Sequence, residues 1–242
     1  MISQAAHFES CQKARNARLY AICDAADDLR NRMTQVWEPE VAYSRYDQLL
    51  ADPNEPFRDQ IPWSSTHFFW SDERHVPPDH PDSNYRMANE ALLAHVPVPQ
   101  NNVHRVLSEN QNAAAVAEAY ETVLWALSED GLPRLDLILL GLGTDGHTAS
   151  IFPGSEVLHE TKRLVAAPWV EKLNTYRITM TLPLLNNGAS VVFLVSGKEK
   201  DGIVKEVLEG PPKYPAQAVR PTNGELLWLL DKDAAGHKKA QN

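Results

Sequence analysis

A carboxylate and an imidazole lie two residues apart in the segment GLGTDGH, residues 141–147, which directly follows the apolar run LDLILL. A neutral imidazole can accept a proton from water, and a neighbouring carboxylate can hold the ring in the tautomer that leaves one nitrogen unprotonated. Gly143 and Gly146 allow the chain to turn sharply between these two side chains. The pattern therefore predicts a loop that presents Asp145 and His147 for general acid–base chemistry.

The same residues, GLGTDG, also match the G-x-G-x-x-G pattern of dinucleotide-binding folds. In those folds a long helix follows the third glycine, and an acidic residue about 20 positions later binds the ribose. Here Pro153 would end a helix that starts at His147 after about a turn and a half, and Glu160 precedes the next apolar run instead of following it. We interpret the segment as a turn at the carboxyl end of a strand, with a helix-capping Asp beside a surface His as the alternative.

A second charged cluster, SDERHVPPDHPDSNY at residues 71–85, also follows a short apolar run. Asp72, Glu73 and Arg74 in succession could orient an anionic or polyhydroxylated ligand, and a solvated charge run is the alternative. The histidines of this segment are separated by prolines and have no standard metal-ligand spacing, so we predict no metal site.

The third cluster is EKLNTYRITM, residues 171–180, in which Lys172 and Arg177 flank the start of a predicted strand. Arg binds phosphate bidentately and Lys binds it as a point charge, although ordinary surface charge is the alternative for both. Lys198 follows a later predicted strand and opens a helix, so we place it near the carboxyl end of that strand. The chain has no G-x-S-x-G segment and neither cysteine has a suggestive companion His, so no covalent nucleophile is predicted.

Strand-like and helix-like segments alternate from residue 61 onward. We predict strands at 66–70, 102–106, 135–140, 163–170, 176–182, 189–197 and 224–231, and helices at 83–96, 113–129 and 198–210. This alternation predicts an α/β fold with a single doubly wound, mostly parallel sheet and flanking helices, forming one domain over residues 1–242 with a polar tail at 234–242. Open sheets of this kind bind ligands at the carboxyl ends of their strands, where the first two clusters and Lys198 fall.

Composition narrows the function classes. A net charge of −9 argues against a nucleic-acid or anionic-membrane surface, so any positive charge for an anionic substrate must be local. Two cysteines give no disulfide framework, and no run of eighteen apolar residues appears, so we predict a cytoplasmic protein. All eleven glycines lie at or after Gly131, and residues 11–45 hold a possible helix near 17–33 with no Gly-rich turn.

Taken in order, SDERHVPPDHPDSNY, GLGTDGHTASIFP, YRITMTLP and VSGKEK resemble the 6-phosphogluconolactonase family, and PAQAVRPTNGELLWLLD is similar to that family's ending. The similarity spans roughly residues 46–233. It implies an α/β domain shared with sugar-phosphate isomerases and glucosamine-6-phosphate deaminase. It also implies cofactor-free hydrolysis of 6-phospho-D-glucono-1,5-lactone to 6-phosphogluconate in the pentose phosphate pathway, with a small sugar-phosphate lactone as the ligand. We expect a monomer.

The resemblance also implies roles for particular residues. His147 matches the family's catalytic base, Asp145 is its neighbour in the same segment, and Arg74 matches the family's active-site arginine. A δ-lactone is an activated ester, so its hydrolysis needs a deprotonated water and a stabilised oxyanion. We expect the substrate to be bound by further residues of the three clusters and by Lys198; from the clusters these are Asp72, Glu73, Gly143, Gly146, Lys172 and Arg177.

One departure from the family lies near the amino terminus. The family carries an N-terminal strand that ends in a Leu-Ser-Gly-Gly-Ser-type loop, and the corresponding positions here read VWEPEVAYSRY. Either a local shift of reading frame that recovers near Tyr46 or a strongly diverged lineage would produce this. Two other functions stay open. One is a glucosamine-6-phosphate deaminase-like enzyme, although that family carries Tyr at the position of Arg74 and Asn-Glu-Pro where this chain has SIFP. The other is a non-catalytic or impaired sugar-phosphate binder.

Overall fold

A computed structural model describes residues 52–53, 58–126, 128 and 131–236. The predictions made for residues 11–45, and for the tail beyond Gly236, lie outside the described residues. The strands of the described part are β1 (Phe68–Phe69), β2 (Asp72–Arg74), β3 (Val103–His104), β4 (Leu137–Leu140), β5 (Val165–Ala166), β6 (Trp169–Val170), β7 (Thr175–Met180), β8 (Ser190–Val195) and β9 (Glu225–Leu230). Its α-helices are α1 (Asn84–Ala91), α2 (Ala113–Ala126), α3 (Leu182–Leu185) and α4 (Asp201–Glu209).

These elements lie largely where the apolar patterns predict them. All six residues of β8 are buried, as expected of a central strand covered on both faces. The predicted strand over 163–170 is divided into β5 and β6, because Pro168 between them has no N–H for the ladder. The helix predicted at 198–210 opens with a 3-10 turn, Lys198–Lys200, before α4 begins.

The strands form two parallel groups and one antiparallel group. β4, β8 and β9 lie side by side in parallel, and β1 pairs with β3 in parallel. This confirms the α/β class. The antiparallel group, in which β7 pairs with β2, β5 and β6, differs from the single mostly parallel sheet that we predict from the sequence. Within this group, the antiparallel pairing of β6 and β7 follows from their connection, because the short turn between them ends at Asn174 in the left-handed region and reverses the chain.

The helices pack against these strands, and α2 also makes a hydrogen bond to the residue that follows β1. One face of α2 is buried, and it packs on β5 and β7. The Tyr120 hydroxyl on α2 accepts a hydrogen bond from the Trp70 backbone N–H at 2.8 Å, directly after β1. The Phe193 ring of β8 stacks on the Trp228 ring of β9 with their centroids 3.9 Å apart. None of the helices in the described ranges is long and apolar enough to cross a membrane.

The loop after β4 is tied to the antiparallel group. The Ser150 hydroxyl donates to Asp72 Oδ2 at 2.6 Å, and the Ser150 backbone N–H donates to Thr179 Oγ1 on β7 at 3.1 Å. These bonds join segments that are far apart in the chain. They bring the carboxyl ends of β1 and β4 to the same edge, with β2 and β7 beside them.

Candidate active site

A chain of polar contacts runs through the loop that follows β4. Asp145 Oδ1 lies 2.5 Å from His147 Nδ1 and also accepts the His147 backbone N–H at 3.2 Å. The other carboxylate oxygen of Asp145 pairs with Lys172 Nζ, which comes from the turn before β7. Because the Asp145 carboxylate accepts a hydrogen bond from the N–H at Nδ1, a neutral His147 has its unprotonated nitrogen at Nε2. The loop therefore presents an oriented proton acceptor.

The backbone of this loop requires glycine where it passes the imidazole. Gly143 accepts a hydrogen bond from the N–H of Gly146 at 2.9 Å and donates its own N–H to the carbonyl of His147 at 2.8 Å. A Cβ at Gly143 would lie 2.0 Å from His147 Nδ1 and 2.8 Å from Asp145 Oδ1. The imidazole occupies the space that any larger residue at Gly143 would fill.

The His147 ring lies against Phe152, with the ring centroids 4.2 Å apart. Lys172 Nζ lies 4.3 Å from the centre of the same phenyl ring and so makes a cation–π contact there. Partial burial alone would raise the pKa of Asp145, but the hydrogen bonds from Lys172 and His147 outweigh it and lower the pKa. Asp145 is therefore an ionised carboxylate that holds both partners in place.

Two arginines face each other beside this loop. Arg74 on β2 is directly opposite Arg177 on β7 in the antiparallel register. Like charges in such a pair destabilise the sheet, and burial together with the positive charge of Arg74 lowers the pKa of Arg177. Arg74 donates to the carbonyl of Asp82 at 2.7 Å, whereas the guanidinium of Arg177 has no hydrogen-bond partner among the described residues. Such a pair of guanidinium groups is suited to an anionic ligand.

The histidine and the arginines line one cavity of about 790 Å³. This volume is large enough for a sugar-phosphate-sized ligand. The predicted site residues that contribute to its wall are Asp72, Arg74, Gly143, His147, Lys172 and Arg177. The three clusters predicted from separate segments of the sequence thus meet in one place.

Glu73 does not lie on the cavity wall. Its side chain is only 1% exposed and accepts hydrogen bonds from the backbone N–H groups of Arg74, Asn84 and Tyr85 and from the Ser83 hydroxyl. Burial raises the pKa of Glu73 although these hydrogen bonds oppose the shift. The structure therefore does not bring Glu73 to the cavity wall, where we predicted that it binds substrate; the carboxylate anchors the start of α1 to β2.

Lys198 and Gly146 also lie away from the cavity wall. Lys198 is exposed and pairs with Asp201 at 2.5 Å, and it is Lys200 that reaches the cavity and donates to the carbonyl of Leu142 at 2.9 Å. A Cβ at Gly146, which has φ of 78°, would lie 2.4 Å from the Tyr214 ring, so this glycine lets Tyr214 pack under the loop.

Sequence reasoning missed three residues of the site: Ser150, Phe152 and Lys200. Ser150 and Phe152 lie in the segment TASIFP that follows His147, so their position beside the histidine was a usable signal. Lys200 carried no such signal, because only the 3-10 turn before α4 decides which of the neighbouring lysines reaches the cavity.

Comparisons with known proteins agree with this arrangement. The family model described as glucosamine-6-phosphate isomerases/6-phosphogluconolactonase matches residues 41–228. The 6-phosphogluconolactonase of Synechocystis is 43% identical over 183 residues, covering 73% of this chain and 75% of that protein. The chloroplastic 6-phosphogluconolactonase 3 of Arabidopsis thaliana is 40% identical over 190 residues, covering 74% of this chain and 58% of that protein.

The fold is also similar to that of a solved 6-phosphogluconolactonase structure. The crystal structure of the 6-phosphogluconolactonase from Thermotoga maritima has a TM-score of 0.62 and is 35% identical, covering 71% of this chain and 75% of that one. With the family model matching most of the chain, the protein belongs to the family of glucosamine-6-phosphate isomerases and 6-phosphogluconolactonases.

Proposed function

We propose that this chain is a 6-phosphogluconolactonase, which hydrolyses 6-phospho-D-glucono-1,5-lactone to 6-phosphogluconate with no metal or organic cofactor. The observation that carries the proposal is that His147, oriented by Asp145, lines the same cavity as the facing pair Arg74 and Arg177. A proton acceptor beside a cationic pair suits the attack of water on the ester of an anionic sugar. The relatives named 6-phosphogluconolactonase support this substrate.

In the proposed mechanism, Nε2 of His147 removes a proton from a water molecule as the water oxygen bonds to the lactone carbonyl carbon. Asp145 accepts the hydrogen bond from Nδ1 and stabilises the imidazolium that results. Such general-base catalysis is worth about 10² to 10⁴ in rate. When the tetrahedral intermediate collapses, the bond to the ring oxygen breaks, and the imidazolium returns its proton to that oxygen.

The positively charged side chains of the cavity stabilise the oxyanion and bind the phosphate. Arg74 stabilises the oxyanion that develops on the carbonyl oxygen, and Arg177 with Lys172 holds the 6-phosphate and so positions the ring. Lys172 also pairs with Asp145, so it links phosphate binding to the orientation of the histidine. Asp72, which accepts the Ser150 hydroxyl at 2.6 Å, keeps the loop after β4 against β2.

We further propose that the protein acts in the cytoplasm, a view supported by its having only two cysteines, and that it acts as a monomer. The chloroplastic relative from Arabidopsis shows that this activity also occurs in another compartment. Light scattering during gel filtration tests the monomer, because a mass of two chains or more would contradict it.

The test of function is a turnover assay on 6-phosphogluconolactone with the full chain. His147→Asn is the inactive comparison, and titration calorimetry with 6-phosphogluconate is run beside it. We expect turnover by the wild type, its loss in His147→Asn, and product binding by both. Release of ammonia from glucosamine 6-phosphate would instead support the deaminase, and binding without turnover would support a non-catalytic sugar-phosphate binder.

A further inference from the structure

The segment that follows His147 folds back and places an aromatic ring against it. Thr148 and Ile151 form an isolated antiparallel bridge, in which the Ile151 backbone N–H donates to the Thr148 carbonyl at 2.9 Å. The side chain of Ile151 is fully buried and anchors this turn in the core. Phe152 directly precedes Pro153, and a residue before proline is restricted towards extended backbone. The chain therefore holds the backbone of Phe152 firmly beside the histidine.

The Phe152 ring contacts two side chains that Asp145 also joins. Its centroid lies 4.2 Å from that of the His147 ring, and Lys172 Nζ lies 4.3 Å from its centre. Asp145 binds the same two groups, His147 Nδ1 through Oδ1 and Lys172 Nζ through Oδ2. The four side chains therefore form a closed ring, in which the imidazole and the ammonium group are each held at two points.

The second point of contact matters because the polar network is partly exposed to water. The side chain of Lys172 is 53% exposed and that of Asp145 is 35% exposed. An ion pair at this exposure stabilises little by itself, because water solvates both charges and the long lysine side chain loses entropy when it is fixed. The Phe152 ring adds a cation–π attraction on the ammonium group and a ring contact on the imidazole. The aromatic ring therefore supplies the order that the hydrogen bonds alone do not.

We propose that Phe152 is a positioning residue, whose ring holds His147 and Lys172 on the two oxygens of the Asp145 carboxylate. The inference rests on the proposed function, in which His147 is the base and Lys172 binds the phosphate. Phe152 exchanges no proton and forms no bond with the substrate, and it acts only on where the imidazole and the ammonium group lie. Because one ring contacts both groups, the effects of changes at Phe152 and Lys172 are coupled.

The first test is spectroscopic and does not depend on the substrate. In the full chain with isotope-labelled histidine, the proton that His147 Nδ1 donates to Asp145 should give a downfield NMR signal, assigned by its loss in His147→Asn. Phe152→Leu should make this proton exchange with water about two- to tenfold faster, the factor that corresponds to one lost ring contact. Phe152→Tyr keeps the ring and should restore most of the protection.

Phe193→Leu is the matched control, because it makes the same change in the core, where the Phe193 ring stacks on Trp228. This variant should be less stable than wild type and should leave the exchange of the His147 Nδ1 proton unchanged. Faster exchange in Phe193→Leu as well would show that the signal follows overall stability, and it would overturn the inference.

The second test is a double-mutant cycle on kcat with 6-phosphogluconolactone. Phe152→Leu should lower kcat about tenfold, because the base is less often in its productive position. In the Lys172→Met background the same change should cost about two- to fivefold less, because the cation–π contact is already absent.

Three results would overturn the inference: unchanged exchange in Phe152→Leu, no recovery in Phe152→Tyr, or effects of Phe152→Leu and Lys172→Met that simply multiply. Failure of the proposed function is distinguished by the wild type. If the wild type does not hydrolyse the lactone, the proposed function is wrong, and the exchange rates alone then decide whether Phe152 positions His147.

Discussion

Replacing Gly143 by alanine should remove most of the activity without unfolding the protein. The added Cβ would lie 2.0 Å from His147 Nδ1 and 2.8 Å from Asp145 Oδ1. Carbon and nitrogen atoms that are not bonded need about 3.5 Å, so the imidazole must move by roughly 1.5 Å. Gly143 does not have a positive φ, so alanine adds no backbone strain there. The clash falls on the movable imidazole ring and, less closely, on the Asp145 carboxylate.

The expected loss follows from what that ring does. A displacement of about 1 Å in a catalytic group can cost about 10²-fold in rate, and removal of a general base costs about 10² to 10⁴-fold. We expect kcat of Gly143→Ala to fall within this range, equivalent to about 2.7 to 5.4 kcal/mol of activation free energy. KM should change little, because Arg74 and Arg177 are not displaced. The thermal midpoint should stay near wild type, because His147 is partly exposed and can rotate away.

The assay is continuous titration of the acid released from 6-phosphogluconolactone. Gly202→Ala is the matched control, because a Cβ there meets no atom within 4 Å and the residue lies in α4. It should retain wild-type kcat. The double variant Gly143→Ala/His147→Asn should be no slower than His147→Asn alone, since both changes remove the same function. A Gly143→Ala enzyme within fivefold of wild type, or strict additivity in the double variant, would refute the reasoning.

Four further outcomes are expected. His147→Asn should lower kcat by about 10² to 10⁴-fold with an unchanged circular dichroism spectrum; near-normal turnover would exclude it as the base. Arg177→Gln should raise KM for the phosphorylated lactone about tenfold but leave glucono-1,5-lactone hydrolysis nearly unchanged, and it should raise the thermal midpoint by relieving repulsion with Arg74. The pKa of Asp145 is lower in the folded protein than in the unfolded chain, so the ionised carboxylate stabilises the fold above the unfolded-state pKa, and this stabilisation is lost as the pH falls. Lys172→Met removes the main cause of the low pKa, so the variant should lose less stability than wild type between pH 5 and pH 2, measured by urea unfolding. Glu73→Gln should cost about 1.5 to 3 kcal/mol of unfolding free energy. Since burial raises the pKa of Glu73, the advantage of wild type over this variant should shrink as pH rises above about 4, and a constant difference would contradict the buried carboxylate.

The sequence by itself determined the chemistry of the loop after β4 and the class of fold. Asp145 and His147 are two residues apart, and the glycines around them are needed by a local turn, so short-range geometry suffices to predict that they meet. The apolar run that became β8 was equally readable, because a strand buried on both faces needs nearly continuous apolar residues. Both properties depend on residues that are close to one another in the sequence.

Contacts between distant segments were decided only by the tertiary structure. Successive side chains on a strand point to opposite faces, so the neighbours Glu73 and Arg74 face opposite sides of β2. Only the packing of α1 on β2 shows that Glu73 is the buried residue of the two. The facing of Arg74 and Arg177 depends on the register of β2 against β7, which no local pattern specifies. Register and packing are set by the burial of surfaces far apart in the sequence, so they become definite only when the chain is folded.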